Sequence, residues 1–457
     1  MKEELKFLCP NGHLGFAPTK EESYYLGVQE KPDFILCDSG SDDIGPGPLG
    51  ADVCASPREW QTHDLELMLV EARRLGVPMI IGSAGDTGTN SRVDMYVEII
   101  TELARKHNLP KFKLGYFYSE VNRAYLRAKM DQDERIEGLD GRPDLTYEEL
   151  AKTDRIVAVA GVHPFMKLLE MGADVIIGGR SSDCAIFAAP AMFHGFSADL
   201  SYYLGKVLEC ASFNAEPYGG KESVLGTITR EEVRVKAMHP AQRCTVASVS
   251  GHAMYERSNP FFEYVAGGVL DMTHCHYEQY DEKTCKITGP EFHPIEGKTK
   301  VKLEGSGKIG ERYIGIAGIR DPYTIKNIEQ VIGWARKQVE EKYGTNGYEL
   351  HYRIFGKNGV MGDLEPVKEI KSHELGIIVQ GVAPTKEMAE EITMIGTRQL
   401  FYARLPEVKG TAGGAAFMLD EVLPASPGYM WTLNHVVAVD DPLELFPVRL
   451  IEVGKEE

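Results

Sequence analysis

Short apolar runs that end in polar, glycine-rich loops set the pattern of the first half of the chain. Leu5–Cys9, Pro32–Cys37, Pro78–Ile81, Lys111–Glu120, Arg155–Ala160 and Ala173–Ile177 read as strands. Most are apolar at successive positions, as strands buried on both faces are. Between them the apolar positions switch to helical spacing. Residues 20–29 read as a short helix, and Thr62–Leu75 as an amphipathic helix stopped by Gly76. Val93, Tyr96, Val97, Ile100 and Leu103 mark another, Pro164–Met171 a fourth, and residues 184–209 a long helical region. Strands alternating with helices over 1–215 predict an α/β domain: a parallel sheet with helices on both faces and its site beyond the strand C-termini.

The pattern changes near residue 215. Residues 216–310 read as a β-rich insertion or second domain; Val269–Tyr280 alternates, and Asp281–Thr284 turns the chain into Cys285–Thr288. From 311 to 457 the order strand, helix, strand, strand, helix, strand predicts a ferredoxin-like α+β part.

Composition narrows the function more than the fold. The 457 residues carry 50 Lys plus Arg against 68 Asp plus Glu, a formal charge of −18. An acidic chain without a basic run argues against nucleic acid or an anionic membrane as partner. No apolar run approaches the roughly 18 residues that span a bilayer. The start, Met1–Leu5, has no export pattern, and the eight cysteines form no C-x-x-C pair, so reduced thiols in the cytoplasm are expected.

Three strand-end loops hold the candidate chemistry. The first, Asp38–Gly50, carries Asp38, Asp42 and Asp43. The second, Gly82–Asn90, has three glycines and Asp86. The third, Gly178–Asp183, carries Arg180, Ser181 and Asp183. Loops after parallel strands converge, so these aspartates could move protons or hold a divalent metal ion through oxygen. Aspartates in such loops also cap helices and shape turns. Backbone amides of Gly82–Gly88, with Ser39, Gly40, Ser83, Ala84 and Gly85 nearby, could cradle an anion. Arg180, Arg243 and Arg320 could grip a carboxylate, or each could be a structural ion pair. His274 and His276 would share a strand face and could reach one metal ion, with no third ligand set by spacing. Cys210 could be a nucleophile or a small buried hydrophobe. The glycine-rich loop Gly356–Pro366 could act as a lid or contribute Glu365.

Taken together, Asp38–Gly50, Ile81–Gly85, Gly178–Ala189, Gly205–Cys210, Arg243–Val249, Gly318–Pro322 and Gly359–Pro366 resemble, in one order from end to end, the acyclic terpene utilisation (AtuA-like) family. The resemblance implies a catabolic enzyme of branched terpenoid acids, often encoded beside a small companion protein, so a homo- or hetero-oligomer is expected. Asn11-Gly12-His13 departs from the family's more acidic first loop. The expected function is a hydratase-type lyase on a small branched or di-carboxylic acid or its thioester. Asp38, Asp183, Asp86 and Glu365 are its candidate acid/base groups, and Arg180 is the candidate carboxylate clamp. A metal-dependent hydrolase or isomerase of a similar acid, or a non-catalytic scaffold subunit, are the alternatives.

Overall fold

The protein is described from a computed structural model, in which residues 2–255, 257–408 and 414–455 are described. The chain divides into two compact units, residues 1–306 with 431–457, and residues 307–430. Each has its own apolar core.

The larger unit is built on a mixed ten-stranded sheet. Its strand order is His276–Gln279, Thr284–Thr288, Val233–Ala237, Val224–Thr229, Glu4–Cys9, Phe34–Gly40, Met79–Asp86, Val175–Ile177, Phe112–Phe117, Val448–Val453. The five consecutive strands from Glu4–Cys9 to Phe112–Phe117 run parallel. Every residue of Phe34–Gly40 and Met79–Asp86 is buried, so both faces of the sheet are covered there. The α/β class therefore holds. The five strands that the N-terminal half gives this sheet pair in parallel, and strands from later in the chain flank them antiparallel. Short connections such as that between Val224–Thr229 and Val233–Ala237 can only return antiparallel. The boundary read at 215 consequently has strands of one sheet on both of its sides.

Local rules explain the helices. The helix Arg58–Leu75 ends at Gly76, whose φ of 67° is the left-handed cap that glycine adopts without penalty. The long helical region is two helices, Asp183–Phe193 and Ala198–Leu208, the second capped by the Ser197 hydroxyl.

In the smaller unit, Glu349–Phe355, Leu375–Ala383 and the later part of Thr299–Ile319 are neighbours in that order, paired antiparallel, and Ala416–Phe417 also pairs antiparallel with Thr299–Ile319. Helices Ile328–Tyr343 and Lys386–Tyr402 bury Val331, Ala335, Val339, Ala389, Ile392 and Leu400 in its core.

Candidate functional site

The three strand-end loops meet in the larger unit, and Ser83 ties two of them. Its hydroxyl accepts from Arg180 Nη1 (3.2 Å) and Ser181 N (3.3 Å) and lies 3.3 Å from the Ser181 carbonyl, to which it donates. One proton and two lone pairs are thereby all engaged. The amides of Ser83, Ala84 and Gly88 donate to the carbonyls of Gly179, Gly178 and Ala84. These three amides face protein acceptors, which corrects the expectation of an anion cradle built from them. Ala84 is buried in the core, and Gly85 packs on the Arg92 side chain. Ser39 is itself buried and bonds the buried Tyr96 hydroxyl.

The glycines serve close approach instead. A Cβ on Gly88 would sit 2.1 Å from the Arg180 backbone nitrogen, and Gly88 has φ of 65°. Gly88→Ala is expected to destabilise the protein by about 2–4 kcal/mol, combining overpacking with left-handed strain. The urea midpoint of the variant measures this; a midpoint equal to wild type would show that the loops part easily.

Asp86 is an anchor. Its carboxylate accepts from Ala55 N (2.8 Å), Ser56 N (2.9 Å), Ser56 Oγ (2.8 Å) and Gln61 Nε2 (3.3 Å). Burial works to raise its pKa, but the His13 imidazole 3.9 Å away and the hydrogen bonds from Ser56 outweigh it and hold the pKa below the usual carboxylate value. With its oxygens taken up in this way, the acid/base role expected for it has no basis in the geometry.

Arg180 is buried and forms a two-pronged ion pair with Glu304, Nε to Oε2 at 2.8 Å and Nη2 to Oε1 at 3.3 Å. Lys302 Nζ joins Glu304 at 2.9 Å. Burial would raise Glu304, but Arg180 and Lys302 hold it down to about 2. The guanidinium is therefore held by protein, and the carboxylate-clamp expectation is corrected. Its Nη1 lies 3.6 Å from Asp183.

Asp183 opens the helix Asp183–Phe193 and is partly exposed at a pocket of about 420 Å³. The walls also include Ser181, Ser182, Cys184, Glu209, Glu263, the turn Tyr264–Gly268, Lys300, Lys302 and Glu304. Leu139, Val159, Val265, Ile295 and Val436 supply an apolar side. Asp38 is buried among the strand ends. Oδ2 accepts from Gly40 N, and Oδ1 is buried without a hydrogen-bond partner. Burial, then the charge of Asp183, push its pKa well above the carboxylate range, against the pull of Arg180. Burial and the Asp183 charge thus both favour the protonated form of Asp38.

The other candidates lie elsewhere. Arg243 is exposed and pairs with Glu216 at 3.4 Å. Arg320 and Glu365 belong to the smaller unit, where Glu365 accepts from Val367 N. His274, His276 and Asp43 are exposed, and the side chain of Asp42 lies outside the described residues. Among the described residues, no group of three or more His, Cys, Asp or Glu is placed to hold a metal ion. Burial pushes the Cys210 thiol up to about 12, which leaves it a poor nucleophile at neutral pH.

Sequence reasoning missed Glu304, Lys300 and Lys302. A readable signal existed: Lys300, Lys302 and Glu304 alternate with Val301 and Leu303, which are buried, so the charged residues share the opposite strand face. Glu209 was visible only as a helix-end residue.

Beyond the pocket wall, His252 is buried with Nε2 unpartnered. Burial, then Lys206 and Arg257, lower its pKa to about 3. The unfolded imidazole binds a proton below about 6.5 and the folded one does not, so stability falls as pH drops from about 6.5 toward 3. The slope is roughly 1.4 kcal/mol per pH unit from this group. His252→Gln is expected to remove that slope from urea unfolding measured between pH 7 and 5; an unchanged slope would contradict the assignment.

Fold and site together define an α/β protein with a polar pocket beside the ends of its parallel strands. The profile of the family described as acyclic terpene utilisation family protein AtuA matches residues 30–427, and the chain belongs to that family. Membership implies a role in acyclic terpene utilisation. No curated protein and no solved structure matches the chain significantly. Among the described residues, no helix is long and apolar enough to cross a membrane.

Proposed function

We propose that this protein is a catabolic enzyme, a hydratase-type lyase acting on a small branched or dicarboxylic acid or its thioester. The observation that carries the reading is the carboxyl pair. Asp183 stands at the pocket wall against Arg180, and the buried Asp38, whose pKa burial and the Asp183 charge both raise, favours its protonated form. Environments that separate the protonation of neighbouring carboxyls are how acid and base roles are assigned in one site.

In this reading Asp183 takes a proton from the water that adds to a double bond conjugated with the substrate carbonyl. Because Asp38 favours its protonated form, the base role falls to Asp183 in this reading. Arg180 orients Asp183 and is itself fixed by Glu304. Lys300 and Lys302, both partly exposed at the pocket, face the carbonyl or carboxylate as the enolate develops. The apolar side receives the acyl chain, which accords with the family's role.

The test is a panel of branched α,β-unsaturated and β-hydroxy acids and their thioesters, followed by NMR. Interconversion by water addition is expected from this chain alone. Hydrolysis or double-bond migration without water addition would overturn the lyase reading. A stoichiometric divalent ion in freshly purified protein would favour the metal-dependent alternative. Activity that appears only with a companion protein would favour the scaffold alternative.

A further inference from the structure

A hydration needs two proton transfers, and the pocket has a second buried carboxylate that the reading above does not use. Glu209 follows the helix Ala198–Leu208 and lines the same pocket as Asp183. Resting on that reading of the pocket, we propose that Glu209 is a second catalytic residue, the proton donor to the substrate α carbon, with Lys206 as its positioning residue.

The geometry is a buried chain of alternating charge. Cys184 Sγ donates to Glu209 Oε2 at 3.0 Å, and Lys206 Nζ pairs with Glu209 Oε1. Lys206 Nζ also lies 3.3 Å from Glu263 Oε2, and Arg257 Nη1 lies 2.6 Å from the same oxygen. The Lys206 and Glu209 side chains are only 6% and 12% exposed. Burying such ions costs desolvation that pairing repays only in part, so the network is weak evidence for stability and calls for another role. Both of its carboxylates, Glu209 and Glu263, reach the pocket wall. The Lys206 ammonium on one oxygen and the Cys184 thiol on the other hold the carboxyl of Glu209 in one orientation, which a proton donor requires.

Its electrostatics point the same way. Burial, aided by Glu263, raises the Glu209 pKa against the pull of Lys206, and so favours the protonated donor form. Burial works to lower Lys206, but Glu209 in its carboxylate form and Glu263 outweigh it and keep the ammonium charged. In the step, the oxygen of water bonds to the β carbon as its proton passes to Asp183. The π pair moves to the α carbon, which bonds the Glu209 proton, leaving the Glu209 carboxylate. Net H₂O is added, and proton return from Asp183 to Glu209 through solvent resets both groups.

The experiment is the pH–rate profile of wild type, Glu209→Gln, Lys206→Met and Lys206→Arg with whichever acid or thioester of the panel wild type hydrates. A donor must be protonated, so the alkaline limb belongs to Glu209. Glu209→Gln is expected to lose about 10²–10⁴-fold in turnover and to lose that limb. Lys206→Met removes the cation that lowers Glu209, so the limb should move to higher pH, and Lys206→Arg should restore it. The Gln variant within threefold of wild type with its alkaline limb intact overturns the proposal and leaves the pocket reading standing. An unmoved limb in Lys206→Met does the same, even if Glu209→Gln fails to fold. Wild type that hydrates nothing in the panel, or an Asp183→Asn variant as active as wild type, overturns the pocket reading itself, and this proposal with it.

Discussion

Replacing Arg180 with alanine is expected to lower the stability of the protein by about 3–5 kcal/mol. The guanidinium is buried and meets both oxygens of Glu304, itself buried on the facing strand. Removing the arginine leaves that carboxylate with Lys302 as its remaining cation, in surroundings that penalise its charge. It also cuts the bond from Nη1 to Ser83 that joins two strand-end loops. Glu304→Gln added to Arg180→Ala should recover much of the loss, because no unpaired buried charge then remains. Chemical denaturation of the two single variants and the double variant measures the coupling. Additive losses would show that the two groups do not act as a pair.

The same ion pair has a pH signature. The folded pKa of Glu304, about 2, lies below the unfolded value near 4.5. Its contribution is therefore fully present above about pH 4.5 and is lost as pH falls toward 2.

The second large effect falls on turnover. Asp183→Asn should reduce hydration of the true substrate by about 10²–10⁴-fold, the span ascribed to a positioned acid/base group, with little change in stability. The residue is partly exposed at the pocket, and an amide fits the same space beside Arg180. A fall in kcat at unchanged KM would match a group that acts in the transition state. A rise in KM alone would assign Asp183 to binding.

The strand-end loops were legible because apolar runs buried on both faces have a period of their own, and the glycine-rich turns punctuate them. Their convergence followed from the parallel centre of the sheet. The meaning of their glycines was not legible. A glycine that admits a phosphate and a glycine that admits another backbone look the same in sequence, and Gly88 turns out to face Arg180. Asp86 was equally ambiguous, since its partners Ala55, Ser56 and Gln61 come from a segment that no local pattern ties to it. Arg180 was read with an open choice between clamp and ion pair. Its partner Glu304 lies 124 positions along the chain, beyond the reach of any spacing rule. The Lys-x-Lys-x-Glu alternation at 300–304 marked that face, but periodicity cannot say which loop a strand face will meet.

In the proposed reading, substrate sits in the pocket bounded by Asp183, Glu209 and Lys302. A crystal structure of the protein grown with a hydrated acid or thioester from the panel tests it most directly. The reacting carbons are expected within about 3–3.5 Å of the Asp183 and Glu209 carboxyls, with the acyl chain against Val159, Val265 and Ile295. A ligand seated anywhere else on the chain, with this pocket empty, would contradict it.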